Sequence, residues 1–341
     1  MTQTPSAVAP SSPAAASSAK LPRIVVLDDY EQAFDTLADW APVREHAQLH
    51  IQTTPLQGAP LLDLLVGADV VVLMRDRTPF KAELIAQLPR LKLVVFTGNR
   101  NMALDTDALA ARSIPVCHTG WGPSKDSTAE LTWTLIMAAH KRLLENHRAL
   151  EQGQWRSAHA MLPMLQGETL GLVGLGEIGG RVARYARAFG MEVLAWSPRM
   201  TPERAAEHGA TFVELDTLLA RSRIVSLHLV VTPQTRGLMN AEKLALMRPD
   251  SLLVNTSRST LIDTTALLQA LPQGRPGQVV LDVFDTEPLP AHDPLRSFPQ
   301  VLLSPHLGFV AQPVFETFVS DARECVLAWL HGQPLPRVLT A

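Results

Sequence analysis

The segment Thr169-Leu170-Gly171-Leu172-Val173-Gly174-Leu175-Gly176-Glu177-Ile178-Gly179-Gly180 restricts the fold of this chain more than any other stretch. It sets Gly174, Gly176 and Gly179 in G-x-G-x-x-G order, directly after an apolar run and before the helical run 181–189. Each glycine answers a steric need: Gly174 permits a tight turn, Gly176 lets backbone approach a pyrophosphate, and Gly179 lets the helix lie close to its strand. The helix start then offers unpaired amides and the positive end of its dipole to phosphate oxygens. A second strand pattern follows at 193–196, as a mononucleotide-binding βαβ unit requires. Leu175, Glu177 and Ile178 lie within the same turn and complete its contact surface.

The rest of the chain repeats that alternation. Short apolar, β-branched runs at 24–27, 70–73, 93–96, 170–173, 193–196, 224–229, 252–255, 279–283 and 301–304 are separated by longer helical patterns. Near-continuous hydrophobicity fits strands buried on both faces of a parallel sheet. The longest helical pattern is expected to run from Ser127 to about Gln152, opened by a capping box of Ser127 and Glu130. Its apolar stripe of Leu131, Leu135, Ala138 and Ala139 reads as core packing, with part of it available to a second subunit.

Composition narrows the function classes. A chain of 341 residues has room for about two domains, and 46% hydrophobic against 18% charged residues suits packed cores. A net charge of -3 gives no basic footprint for nucleic acid or an anionic membrane, and no apolar run is long enough to span a bilayer. Residues 1–20, rich in Ala, Ser and Pro and without Arg, are expected to be a disordered tail rather than a signal or transit peptide. Cys117 and Cys325 show no metal-ligand spacing, and they read as reduced structural thiols of a cytoplasmic protein. No metal site is expected.

The end of the second strand of the βαβ unit bears on the cofactor. A site that prefers NAD ends this strand in a carboxylate for the ribose 2′-hydroxyl; here Ser197 is followed by Pro198 and Arg199. A 2′-phosphate meets no repulsion there and can pair with Arg199, which favours NADP over NAD. The alternative is that Arg199 is a solvated charge and either cofactor serves.

Three further motifs lie at or just beyond apolar strands: Val254-Asn255-Thr256-Ser257-Arg258, Leu281-Asp282-Val283-Phe284-Asp285-Thr286-Glu287-Pro288 and Ser304-Pro305-His306-Leu307-Gly308. The carboxyl ends of strands in a doubly wound sheet open onto the ligand crevice, so side chains from distant parts of the chain can meet there. Arg258 can hold a substrate carboxylate and polarise a carbonyl with its planar fork. His306 can donate a proton near neutral pH, and Glu287 can orient that imidazole. Singly, each also reads as a structural ion pair or a loop charge. Set beside the glycine cluster, they read as a catalytic trio.

With these residues in view, the chain resembles the D-isomer-specific 2-hydroxyacid dehydrogenases, the family of phosphoglycerate, D-lactate, formate and glyoxylate/hydroxypyruvate enzymes. The likeness runs over nearly everything after the tail. It takes in Thr97-Gly98-Asn99, Ser127-Thr128-Ala129-Glu130, the glycine cluster, Thr232-Pro233-Gln234-Thr235-Arg236-Gly237-Leu238 and the three motifs above. The resemblance implies an α/β fold of two doubly wound parallel-sheet domains, with a Rossmann dinucleotide domain (122–306) inserted into a flavodoxin-like substrate domain (21–121 with 307–341). It implies hydride transfer between a nicotinamide cofactor and a small D-2-hydroxy or 2-oxo acid, in a homodimer. By motif, Arg258, Glu287 and His306 match the catalytic residues, and Asp282 matches a contact to the nicotinamide carboxamide. Thr97, Gly98 and Asn99, with Arg258, match the hold on the substrate carboxylate. Further cofactor contacts are expected from His228, Thr235, Thr256, Ser257 and Gly308.

The chain departs from the family pattern at Ser197 (usually Asp), Ser259 (usually Gly) and Val230 (commonly Pro); the first puts NAD in doubt. A short-chain dehydrogenase would need Tyr-x-x-x-Lys, but Phe34 and Phe189 stand four residues beyond the only tyrosines, Tyr30 and Tyr185. A methyltransferase would have no use for the Arg/Glu/His set. A non-catalytic dinucleotide sensor on the same fold is the remaining alternative. Arg75 and Arg77 are expected to be surface charges, with a place in the substrate pocket as the other reading.

Overall fold

The computed structural model describes residues 20–156 and 161–339; the predicted tail at 1–20 therefore falls, but for Lys20, outside the described residues. The chain divides into two compact units. The smaller comprises residues up to 96, 100–118 and 322–341. The larger comprises 97–99 and 119–321.

The smaller unit holds a five-stranded parallel sheet of β1 (Arg23–Val26), β2 (Gln48–Ile51), β3 (Val70–Leu73), β4 (Leu93–Phe96) and β5 (Val116–His118), in the order β2-β1-β3-β4-β5. β3 and β4 are buried at every position, which explains the unbroken apolar runs Val70-Val71-Val72-Leu73 and Leu93-Val94-Val95-Phe96. β2 has no pattern of that kind: its residues alternate between exposed and half-buried, because it forms an edge.

The larger unit holds seven parallel strands: β6 (Thr169–Val173), β7 (Glu192–Trp196), β8 (Thr211–Phe212), β9 (Ile224–Leu227), β10 (Leu252–Asn255), β11 (Gln278–Leu281) and β12 (Val301–Leu303). Their order is β12-β11-β10-β9-β6-β7-β8. The two faces of this sheet bury separate cores. Leu170 and Leu172 pack with Trp133, Ile136 and Val182 on one side, while Val173 packs with Leu218, Val225 and Leu253 on the other. Each such side chain, withdrawn from water, stabilises the fold by about 1.5–3 kcal/mol. The strand order reverses between β6 and β9, and in a doubly wound sheet that switch point is where a ligand crevice opens.

The long helical pattern forms two helices. α1 spans Ser124–His140 and α2 spans Leu143–Glu151, with Arg142 between them in a left-handed conformation (φ 47°). The expected capping box does not form. α1 starts earlier, after Pro123, and the Ser127 hydroxyl donates instead to the Gly308 carbonyl, as does that of Thr128. α3 (Glu177–Ala188) follows the glycine turn, and α4 (Gln312–Leu330) belongs to the larger unit up to Asp321 and to the smaller one beyond.

Arg75 and Arg77 are not surface charges. Arg75 is 8% exposed. Arg77 forks onto Glu31 at 2.6 and 2.8 Å, donates to the Asp28 carbonyl and stacks over Tyr30 with 4.3 Å to the ring centre. Both follow β3, where the loops of the sheet pack against one another. No described helix is long and apolar enough to cross a membrane.

Candidate active site

The glycine turn sits at the switch point. The Gly174 amide donates to the Trp196 carbonyl at the end of β7, and the His228 amide donates to the Val173 carbonyl at 2.8 Å. Gly174 has φ 106°, and a Cβ there would lie 2.5 Å from the His228 carbonyl oxygen. A Cβ on Gly179 would lie 2.3 Å from the Gly174 carbonyl oxygen, so α3 can approach only because that position is glycine. Gly176 differs: nothing stands within 4 Å of its would-be Cβ, and it caps α3 without any side-chain hydrogen bond. The turn is therefore a cradle open above Gly176 and faced by the amides of a helix start. These residues fit a pyrophosphate. Leu175 is buried beneath the turn, whereas Glu177 faces out to Lys125 and Ile178 is half-buried.

Beside this cradle, Ser197 is half-buried after β7 and Arg199 is exposed on the turn that follows. His228, at the end of β9, has its Nε2 2.9 Å from the Ser226 hydroxyl. Burial pushes its imidazole down to about 4, so it is neutral at physiological pH.

The trio gathers at the ends of β10, β11 and β12. His306 Nδ1 lies 2.6 Å from a Glu287 oxygen, and the other Glu287 oxygen accepts the Phe284 amide at 2.9 Å. A carboxylate can only accept, so Nδ1 carries the proton and Nε2 is the nitrogen left to face a substrate. Burial pushes the Glu287 carboxyl up. The hydrogen bond and charge of His306, the Phe284 amide and the Arg258 guanidinium outweigh it together and hold the group below its ordinary value. Arg258 thus acts on the same carboxylate as His306. Its backbone is set by Asn255, whose amide donates to the Arg258 carbonyl (2.9 Å) while its side-chain oxygen accepts from the Ser257 amide (3.0 Å).

His306 has φ 54°, a strained left-handed conformation for a residue with a Cβ. Asp282 holds it there. Fully buried, this carboxylate accepts from the Ser304 hydroxyl (2.6 Å), the Leu307 amide (2.8 Å) and the Gly308 amide (3.0 Å), pinning both sides of His306. Burial pushes the Asp282 carboxyl up against the pull of those donors. Phe309 packs edge-on against the imidazole, with centroids 5.6 Å apart, and stacks in turn on Phe315.

Other expected contacts have structural partners of their own. Thr235, 2% exposed, donates to the Val230 carbonyl and accepts from the Thr232 amide, building its own turn. Thr256 shares a hydrogen bond with Thr132 of α1 (2.8 Å), and Ser257 donates to the Leu229 carbonyl (2.8 Å). The Gly308 carbonyl takes both Ser127 and Thr128. Thr97 is wholly buried, and Gly98 (φ 82°) donates its amide to Thr119 at 2.7 Å, while Asn99 is exposed. Sequence reasoning gave no role to Asn255 or Ser304, although each stands within a motif it singled out. No group of metal-ligating residues occurs among the described residues.

Comparison with known proteins follows the same lines. A profile described as D-isomer specific 2-hydroxyacid dehydrogenase, NAD binding domain, matches residues 133–308. A glyoxylate reductase of Aeropyrum pernix is 33% identical over 329 residues, covering 94% of this chain and 96% of that enzyme. A D-3-phosphoglycerate dehydrogenase of Mycobacterium tuberculosis is 36% identical over 278 residues, 81% of this chain but 52% of its own length, so the chain spans about half of that protein. A phosphoglycerate oxidoreductase structure from Vibrio cholerae superposes with a TM-score of 0.83 at 32% identity, over 92% of this chain and 99% of that one.

Proposed function

This chain belongs to the D-isomer-specific 2-hydroxyacid dehydrogenases, enzymes that move a hydride between a nicotinamide dinucleotide and a small organic acid, and we propose that it reduces a 2-oxo acid with NADPH, in the cytoplasm and as a homodimer. Catalysis, rather than non-catalytic sensing, is its activity. The single observation that supports the proposed site is the 2.6 Å contact of His306 with Glu287, beside an Arg258 whose charge acts on the same carboxylate.

In this reading the larger unit (our proposed bounds are 122–306) holds the cofactor. The cradle of Gly174, Gly176 and Gly179 takes the pyrophosphate, and Ser197 with Arg199 takes the 2′-phosphate. His228, Thr235, Thr256, Ser257, Asp282 and Gly308 shape the walls. When bound, the cofactor supplies the hydride. Arg258 grips the substrate carboxylate in bidentate fashion, and the Asn99 amide adds the second hold, since the Gly98 amide is committed to Thr119. His306 Nε2 holds the proton that the new alkoxide needs, and ionised Glu287 stabilises the imidazolium while fixing its tautomer. Glyoxylate is the first substrate to test, because a relative named glyoxylate reductase matches over 94% of this chain.

The test follows loss of reduced-nicotinamide absorbance with NADPH and with NADH, against glyoxylate, hydroxypyruvate, pyruvate and phenylpyruvate. We expect turnover on at least one acid with kcat/KM higher for NADPH. His306→Ala should lower kcat by about 10²–10⁴ with NADPH affinity unchanged. Arg258→Lys should raise KM for the acid, because a point charge cannot replace a planar fork. A strong NADH preference sinks the cofactor assignment, and loss of NADPH binding in His306→Ala sinks that of the histidine.

A further inference from the structure

The hydroxyls in the first turns of α1 do not cap it; they reach across to the loops that carry the trio. Thr128 and Thr132 stand one turn apart on the same helix face, about 6 Å along the axis, and are 9% and 0% exposed. Apolar packing anchors that helix: Ala129, Trp133 and Ile136 share one core with Val254 of β10 and Val280 of β11. Thr128 shares its proton between the Ser124 carbonyl (2.8 Å) and the Gly308 carbonyl (2.9 Å), and Ser127 donates to the same Gly308 oxygen (2.9 Å). Thr132 donates to the Thr128 carbonyl (2.8 Å). Its oxygen is left to accept, so the Thr256 hydroxyl is the donor across their 2.8 Å contact.

Each end of this row meets a loop next to a reacting group. Gly308 lies just beyond His306; its amide is held by Asp282 and its carbonyl by α1, which fixes the loop from both sides. A Cβ on Gly308 would stand 3.3 Å from the Thr128 methyl group, so this loop lies directly against the helix. Thr256 lies just before Arg258, and Thr132 holds it while Asn255 and Ser257 fix the rest of that turn. Valine would fill both threonine sites with the same shape and no polar group to satisfy. What the buried hydroxyls add is these bonds.

We propose that Ser127, Thr128 and Thr132 are positioning residues of the reaction: the first two set the loop of His306, Thr132 sets the loop of Arg258, and one helix face thereby fixes the spacing of proton donor and carboxylate clamp. This rests on the roles proposed above for His306 and Arg258. Loss of the bonds to Gly308 lets the imidazole drift from its donating position, which acts on kcat. Loss of the bond to Thr256 loosens the fork that grips the acid, which acts on KM.

The test follows the side-chain nitrogens of His306 and Arg258 by magnetic resonance in isotope-labelled protein, assigned by their loss in His306→Gln and Arg258→Lys, beside kinetics on glyoxylate with NADPH. Ser127→Ala combined with Thr128→Val should take the imidazole from one Nδ1-protonated tautomer to a mixture. It should lower kcat by roughly tenfold or more, with KM within about twofold. Thr132→Val should shift the Arg258 Nε signal, leave the His306 tautomer alone and raise KM by roughly fivefold with kcat nearly kept. Thr256→Val leaves the Thr132 proton on its helix carbonyl and should reproduce that change, and the two together should be no worse than either alone. Thr132→Ser, and Thr128→Ser beside Ser127→Ala, keep the hydroxyls and should return wild-type signals and constants. If the valine variants of α1 do not fold, Thr256→Val and the serine variants carry the test. Unmoved nitrogen signals with wild-type constants, serine variants as impaired as the valine ones, or additive losses in the pair of Thr132 and Thr256 would each overturn the proposal. Lack of turnover in the wild type counts against the proposed function alone, since the nitrogen signals need no substrate.

Discussion

Glu287 accepts two donors at once, His306 through one oxygen and the Phe284 amide through the other, and both favour its charged form. Its carboxyl therefore loses its proton at a lower pH in the folded protein than in the unfolded chain, where it stands near 4.5. The resulting stabilisation is fully present above that value and is lost as pH falls below it, through the folded-state titration. Thermal melts of wild type and Glu287→Gln should therefore differ near neutrality, the variant melting lower, and should converge in acid below the ordinary carboxylate range. A gap of equal size at both pH values would mean that charge on Glu287 contributes nothing. The residue types of the site were legible because the chemistry demands an arginine, a carboxylate and an imidazole at strand ends. The strain at His306 and the clamp by Asp282 were not, since both depend on how one loop closes in space rather than on any pattern along the chain.

Among elements, the turn between β6 and α3 separates structural from functional glycines. A methyl on Gly179 meets the Gly174 carbonyl oxygen at 2.3 Å, whereas a methyl on Gly176 meets nothing within 4 Å. Gly179→Ala should push α3 off its strand, lowering Tm and weakening cofactor binding together. Gly176→Ala should leave Tm within about 1–2 °C, because no packing is disturbed, yet weaken NADPH binding by roughly tenfold or more, as its methyl occupies the space above the cradle. Calorimetry of binding and melting separates the two, and unchanged NADPH affinity in Gly176→Ala would remove that turn from the cofactor site. Strands buried on both faces were legible as apolar runs, and β3, β4 and β10 fall where the sequence puts them. The edge strands β2 and β8 were not, because half-exposed positions carry no such signal. Nor was the break at Arg142, where no glycine or proline marks the left-handed turn between α1 and α2.

For the whole molecule, the surface around α2 is the proposed association face. α2 buries none of its residues, yet it carries Leu143, Leu144 and Leu150, and Trp155, Met161 and Met164 are exposed as well. Trp155 is 77% exposed and Met161 98%. Lys141 at the end of α1 donates to the Pro163 carbonyl at 2.6 Å, which ties the chain beside Met164 to that helix. Exposed apolar side chains gathered on one helix mark a candidate association face, and a symmetric dimer is the assembly in which one patch serves both partners. A stable interface buries about 1,600 Å² in total, and a central tryptophan typically carries about 2 kcal/mol or more of it, some 30-fold in affinity. Sedimentation of the wild type should therefore show a dimer at micromolar concentration, with a Tm that rises with protein concentration because association stabilises only the folded chain. Leu150→Glu combined with Trp155→Glu should give a folded monomer with the far-ultraviolet dichroism of the wild type. A wild type that sediments as a monomer throughout, or a doubly charged variant that stays dimeric, would place the association face elsewhere and leave this apolar surface without a partner.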